Sequence, residues 1–163
     1  MKELDFQPHK SNEEFRRNYK LHDLAEECGK NLLIQWGIKF DLFGKDRRYE
    51  KVWENGKDKP DLLISYKGKD ALLDWKGKHT QKWIMNERAY KAYLDWKNKM
   101  NMPVFIAFFL FDEKDNLIEN RVAVTGVHKP KKLSTKEWDR NKTVDFENTI
   151  PAFTKTELLR YLL

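Results

Sequence analysis

Apolar positions in the first part of the chain recur every three or four residues. Leu21, Leu24, Ala25, Cys28, Leu32 and Trp36 form this series, with Phe15 ahead of it, and it predicts a helix from about Ser11 to Trp36. Ser11 before Glu13 and Glu14 supplies a start, and Gly37 a stop. The period then shortens. Ile38 to Phe43 reads as a first strand, followed by a charged connection to residue 59. Two short apolar runs come next, Pro60-Asp61-Leu62-Leu63-Ile64 and Ala71-Leu72-Leu73-Asp74-Trp75-Lys76. The polar stretch Tyr66-Lys67-Gly68-Lys69-Asp70 between them reads as a hairpin turn. Trp83, Ile84, Tyr90, Tyr93, Leu94, Trp96 and Met100 return to helical spacing and predict a second helix from about Thr80 to Met100.

Pro103 to Phe111 is almost continuously apolar. It is far shorter than the roughly 20 residues a bilayer-spanning helix needs, so it reads as a central strand buried on both faces. Arg121 to Val127 alternates more and is expected to pair with it through the acidic turn Asp112 to Asn116. In the tail, Lys129-Pro130-Lys131-Lys132 reads as a basic loop. Thr154-Lys155-Thr156-Glu157 is expected to cap a short terminal helix ending at Leu163. Strands interleaved with helices place the chain in the α/β class, and 163 residues without repeat or linker make one domain.

The chemistry lies in the two short runs. Side chains alternate faces along a strand, so Leu72, Asp74 and Lys76 share one face, with Leu73 and Trp75 on the other. In the first run Asp61, Leu63 and Ser65 face together. An antiparallel hairpin brings Asp61, at the start of one strand, close to Asp74 and Lys76, at the end of the other. Pro60 suits that start, having no N–H to give to a ladder. Two carboxylates can hold Mg²⁺ together with a substrate phosphate, and the metal can polarise the phosphoryl group and activate water. A lysine two residues from a ligand can orient that water or offset charge on the phosphate. The plainer alternative is a surface ion pair at a strand end and a turn aspartate after proline.

Pro60-Asp61 followed by Asp74-Trp75-Lys76 after an apolar strand resembles the signature of the PD-(D/E)xK nuclease superfamily. The nearest likeness is to compact archaeal Holliday-junction resolvases and phage or viral nucleases. The resemblance implies a restriction-endonuclease-like core, a central mixed β-sheet of about four to five strands flanked by helices, in the order helix, three strands, helix, strand. It spans about residues 12–111 of a single nuclease domain covering 1–163, and it says nothing about the extension 112–163. It implies catalysis by Asp61, Asp74 and Lys76 with Glu26 assisting, and metal binding by Asp61, Asp74 and Glu26. Glu26 stands eleven residues before Gly37, with Glu27 as its alternative. Mg²⁺ is the implied cofactor, with Mn²⁺ able to substitute. Related nucleases touch phosphate or the attacking water from the start of the second helix, which makes Lys78 and Gln81 candidates. The Gln and Tyr four apart that mark RecB-type exonucleases are missing, since Met85 follows Gln81. Lone His79 is a weaker choice of base than Lys76.

Charge agrees with a polyanionic partner. The chain carries 32 basic and 26 acidic residues, a net charge of +6, and a pI near 9.2. Lys45, Arg47, Arg48 and Lys51 interleave with Tyr49 and Trp53, a pattern that can follow a phosphate backbone and stack on bases. The single cysteine, Cys28, excludes an internal disulfide and a thiolate zinc cluster. Met1 to Lys10 lacks the apolar segment of a secretion signal, so the expected location is cytoplasmic, or the host cytoplasm for a viral protein, with no membrane partner. The leading expectation is a Mg²⁺-dependent DNA endonuclease, structure-specific or of viral or phage type. Resolution of a junction would require a homodimer. The alternatives are a non-catalytic nucleic-acid-binding module keeping the nuclease fold, and an adaptor whose aromatic residues serve a partner surface.

Overall fold

A computed structural model describes residues 12–43, 58–132 and 142–163. Helix α1 runs Asn12–Gln35 and ends where the sequence expects. Gly37 takes φ +74°, its N–H reaches the Ile34 carbonyl at 3.1 Å, and Ile38 N–H reaches Leu33 O at 2.9 Å. That bond pair is a Schellman stop, which needs a left-handed residue. Strand β1 (Lys39–Leu42) follows. Strands β2 (Leu62–Tyr66) and β3 (Lys69–Lys78) form the expected hairpin. Its two central residues, Lys67 and Gly68, have φ of 49° and 81°, the signs a two-residue hairpin turn of the primed type requires.

The second helix begins later than its periodicity suggests. Trp83 to Asn86 leave the helical pattern because β4 (Ile84–Asn86) pairs with β8 (Thr143–Asp145), and helix α2 covers only Glu87–Met100. Trp83 and Met85 are buried, and the Trp83 indole donates to Asn148 Oδ1 at 2.9 Å. A partner so distant in sequence leaves no local trace. A second small sheet, β4-β8-β7 with β7 at Lys131–Lys132, is therefore an element the sequence did not disclose.

Strand β5 (Val104–Phe111) is buried at every position, as its unbroken apolar run requires. It pairs in parallel with β3 and antiparallel with β6 (Leu117–Val124). Strand β6 starts earlier than alternation indicates. Asp112 Oδ1 accepts from the Lys114 and Asn116 N–H groups at 2.8 and 2.9 Å, which completes the reversal by Asn116. Helix α3 (Lys155–Leu162) is capped by Thr154 Oγ1, which accepts from Glu157 N–H at 3.2 Å. The result is an α/β fold with a mixed five-stranded sheet, order β1-β2-β3-β5-β6.

Alternation along β3 and β5 divides the core in two. Leu73, Trp75, Phe105, Ala107 and Phe109 pack under α1 and α3, whereas Leu72, Ile106 and Phe108 pack under α2 and the small sheet. Helix α1 approaches β3 closely because two glycines face the contact. A Cβ on Gly77 would stand 2.1 Å from the Leu21 carbonyl oxygen, and one on Gly29 would stand 2.0 Å from the Trp75 ring. Gly77→Ala should therefore push α1 away from β3 and lower unfolding stability by roughly 1–3 kcal/mol. Urea denaturation would measure this, and an unchanged midpoint would show that the helix has slack.

Candidate metal and phosphodiester site

Asp61 sits one residue before β2, across from Asp74 by continuation of the Leu62↔Leu73 register. Strand β2 has left the ladder there while β3 runs on beside β5 to Lys78. The backbone donor this exposes, Trp75 N–H, is taken by Asp61 Oδ2 at 2.9 Å. The same oxygen lies 3.3 Å from His22 Nε2 on α1, and Phe43 N–H fixes the Asp61 carbonyl at 3.0 Å. Asp61 thus joins the helix to the strand end. Asp74 is only 4% exposed, on the face it shares with Leu72. Lys76 Nζ stands 3.1 Å from Asp74 Oδ2. The structure therefore brings Asp61, Asp74 and Lys76 together, as the spacing of the two runs predicts.

The electrostatics divide the two carboxylates. Burial pushes the Asp74 pKa up to about 7, and the neighbouring Asp61 charge adds to this while Lys76 opposes it. Burial also opposes ionisation of Asp61, but hydrogen bonds from His22, Asp74 and the Trp75 N–H outweigh it and hold its pKa below the usual carboxylate value. For His22 burial favours the neutral form, yet the hydrogen bond and charge of Asp61 raise its pKa overall. Lys76 is raised in the same way: burial opposes its charge, and Asp74 chiefly restores it. Such a pair keeps one carboxylate ionised and the other close to its titration point.

Glu26 lies one helical turn beyond His22. Its carboxylate pairs with Lys30 at 3.0 Å, and potential ligand atoms of His22, Asp23 and Glu26 lie within 4.8 Å of one another. Glu26 thus stands beside His22 and Asp23, and its charge bears on the imidazole, whereas Glu27 is exposed on α1. Lys78 shares the face of Asp74 and Lys76, but its ammonium donates to the Ile84 carbonyl at 2.7 Å and lies over the Phe108 ring. Burial, helped by the Lys76 charge, lowers its pKa to about 8. Gln81 falls in the loop before β4, where its amide donates to Glu119 Oε1 at 2.8 Å, rather than at a helix start. Arg47 and Arg48 lie outside the described residues. Lys67 and Lys69 belong to the hairpin tip, the far end of β2 and β3 from Asp61, and so do not surround the acidic pair.

Sequence reasoning passed over His22. The available signal was its i,i+4 spacing to Glu26 on one helix face. It also passed over Asp58, whose charge reaches Lys76 and whose carbonyl accepts from the Trp96 indole at 2.8 Å. Carboxylate oxygens suit a hard cation such as Mg²⁺ or Mn²⁺, whereas an imidazole is a donor for zinc and the later transition metals. No family model, curated protein or solved structure matches the chain.

The raised Asp74 pKa fixes the sign of a stability change. Between about pH 4, near the unfolded value, and about pH 7, the folded chain retains a proton that the unfolded chain has released. Raising the pH through that window therefore costs the folded state stability. Asp74→Asn carries no such proton, so in EDTA its melting temperature should gain on wild type from pH 5 to pH 8. A constant difference across that range would refute the buried, raised carboxylate.

Proposed function

We propose that the chain is a metal-dependent DNA endonuclease of the PD-(D/E)xK type. The observation that carries this reading is the convergence of Asp61, Asp74 and Lys76 where β2 leaves the sheet, with His22 brought to the same point by α1. The chain order α1, β1, β2, β3, α2, β5, with β4 inserted before α2, follows the order the motif implies and supports a restriction-endonuclease-like core. Among the described residues, no helix is long and apolar enough to cross a membrane.

The donor set fits a divalent cation. Asp74 is a buried carboxylate with a second carboxylate against it, and a cation between them would relieve both burial and like-charge repulsion. Asp61 and Asp74 would hold Mg²⁺ or Mn²⁺, with His22 beside them and Glu26 behind His22. When bound, the ion would polarise a phosphoryl oxygen and lower the pKa of its water. Lys76 remains charged, anchored at Asp74, and its ammonium can orient a water or offset charge on the phosphate. Asp61, held ionised by three donors, is available as a ligand across the neutral range. The +6 charge favours a nucleic-acid partner, and a homodimer would supply two such sites for a junction.

The test is cleavage of labelled single strand, duplex, flap and four-way junction with Mg²⁺, Mn²⁺ or EDTA. Metal-dependent cutting is expected. Lys76→Ala should reduce kcat by roughly 10²- to 10³-fold, the usual effect of removing one charge-stabilising donor. Asp61→Ala and Asp74→Ala should reduce it at least as far, with the fold retained by circular dichroism. Binding without cutting in every metal would instead identify a non-catalytic binding module.

A further inference from the structure

We propose that the tip of the β2–β3 hairpin is a second DNA contact, a ring-backed cluster of lysines that grips the phosphate backbone away from the cation site. The inference rests on the nuclease reading and adds to it a surface that the motif does not contain. Lys67 Nζ stands 5.4 Å from the centroid of the Tyr66 ring, and Lys155 Nζ, arriving from α3, stands 5.5 Å from it. The two ammonium groups therefore lie no more than about 11 Å apart. Lys69 faces Tyr66 directly across the hairpin, which puts its side chain on the same face. Tyr66 is half-buried against the core under α1 and α3, so the ring that carries the charges is anchored.

Among the described residues none of these three lysines forms an ion pair. Asp70, next in sequence to Lys69, accepts from Ser65 Oγ at 2.5 Å on the opposite face. Glu157, two residues past Lys155, is taken by Arg160 at 3.1 Å. Lys155 itself opens α3 directly after the Thr154 cap, where the helix dipole is also positive. Ammonium groups gathered at the positive end of a helix repel one another, and a polyanion relieves that repulsion.

The cluster is joined to the cation site along one face. Lys69 lies five residues before Asp74 on β3, about 17 Å at the rise of a strand. His22, Glu26 and Lys30 recur every four residues and so form one stripe of α1. That stripe leaves Asp61 at His22 and ends where Lys30 lies over the Phe40 ring at 5.9 Å. Its one acid, Glu26, is neutralised by Lys30 at 3.0 Å. Phe40 opposes Ile64, two residues short of Tyr66 on the same face. A strand whose scissile phosphate sits at Asp61 and Asp74 is led along this stripe to the lysines. A duplex advances about 3.4 Å per base pair, so about five base pairs bridge the two points.

The experiment compares four full-length proteins: wild type, the triple variant Lys67→Gln, Lys69→Gln, Lys155→Gln, the matching triple arginine variant, and Lys99→Gln. Binding of a labelled DNA duplex of about 30 bp, long enough to span both points, is read by fluorescence anisotropy in Ca²⁺ at several salt concentrations. Cleavage of the same duplex is read in Mg²⁺. At about 0.15 M salt the glutamine variant should bind roughly 10- to 100-fold more weakly, and its salt slope should fall by about two to three units. KM should rise with the dissociation constant while kcat stays within about twofold of wild type. The arginine variant keeps charge and ring contact and should restore binding. Lys99→Gln removes a lysine held over Trp96 at 5.3 Å on the other core face and should leave affinity and slope unchanged. A wild-type salt slope in the glutamine variant overturns the inference, as does equal weakening in Lys99→Gln, which would mark a general loss of charge. Failure of the arginine variant to restore binding would mark a packing effect and overturn it too. A wild type that neither binds nor cuts the duplex overturns the nuclease reading, and the inference with it. Binding without cutting overturns only that reading, and the salt slopes then decide the surface.

Discussion

The near-contact of α1 with β3 is the constraint on which the rest depends. Backbone lies almost on backbone where Leu21 meets Gly77, and a ring lies almost on backbone where Trp75 meets Gly29. Neither approach tolerates a Cβ, and between them they fix the height of α1 above the sheet. His22 follows Leu21 directly. Its 3.3 Å contact with Asp61 is available only because the preceding residue is already seated against the strand. A helix standing one side-chain layer higher, as ordinary packing would place it, would leave that imidazole short of the carboxylate.

Strand length then decides where the polar groups gather. Strand β3 pairs on one side with β5 as far as Lys78, while β2 begins only at Leu62. The last part of β3 is thus a half-paired strand inside the sheet, and its exposed N–H at Trp75 needs an acceptor. Asp61 meets that need with a side chain instead of a backbone carbonyl, which places a carboxylate inside the notch. Once it is there, the second carboxylate, Asp74, sits in its field at 4% exposure. Burial and the Asp61 charge push the Asp74 pKa up to about 7, whereas hydrogen bonds from His22, Asp74 and the Trp75 N–H hold that of Asp61 down against its own burial. Two carboxylates buried side by side work against the fold, and perturbed titration of this kind marks the pair as a candidate site.

Elements with local causes were legible in the sequence. The Gly37 stop, the Lys67-Gly68 hairpin, the fully buried β5 and the Thr154 cap all follow from residues within a few positions of the feature they create. The Asp61, Asp74 and Lys76 convergence was legible for the same reason, because hairpin pairing converts short-range spacing into contact. What escaped was non-local. The pairing of Ile84 to Asn86 with Thr143 to Asp145 shortens α2 by several residues, and nothing near Trp83 announces it. Removing Gln81 from a helix start follows directly from that pairing. His22 escaped differently: on a helix surface it looks like any solvated polar residue until the sheet beneath is known.

The two faces of β3 divide the work accordingly. Leu73 and Trp75 carry the packing under α1, and the helix they seat delivers His22 to the edge of the notch. Leu72, Asp74 and Lys76 lie on the other face, which α2 covers with its buried residues Ala89, Ala92 and Tyr93. Asp61, at the strand end, is the point where the two layers meet. Imidazole arrives from one side and Asp74 from the other, with the Trp75 N–H between them. A substitution in either layer is therefore transmitted to the same carboxylate through packed backbone, with no loop to absorb the displacement. Rigid elements on both faces are the condition for holding two like charges at a fixed separation, and that condition is met only because β3 is shared by both cores.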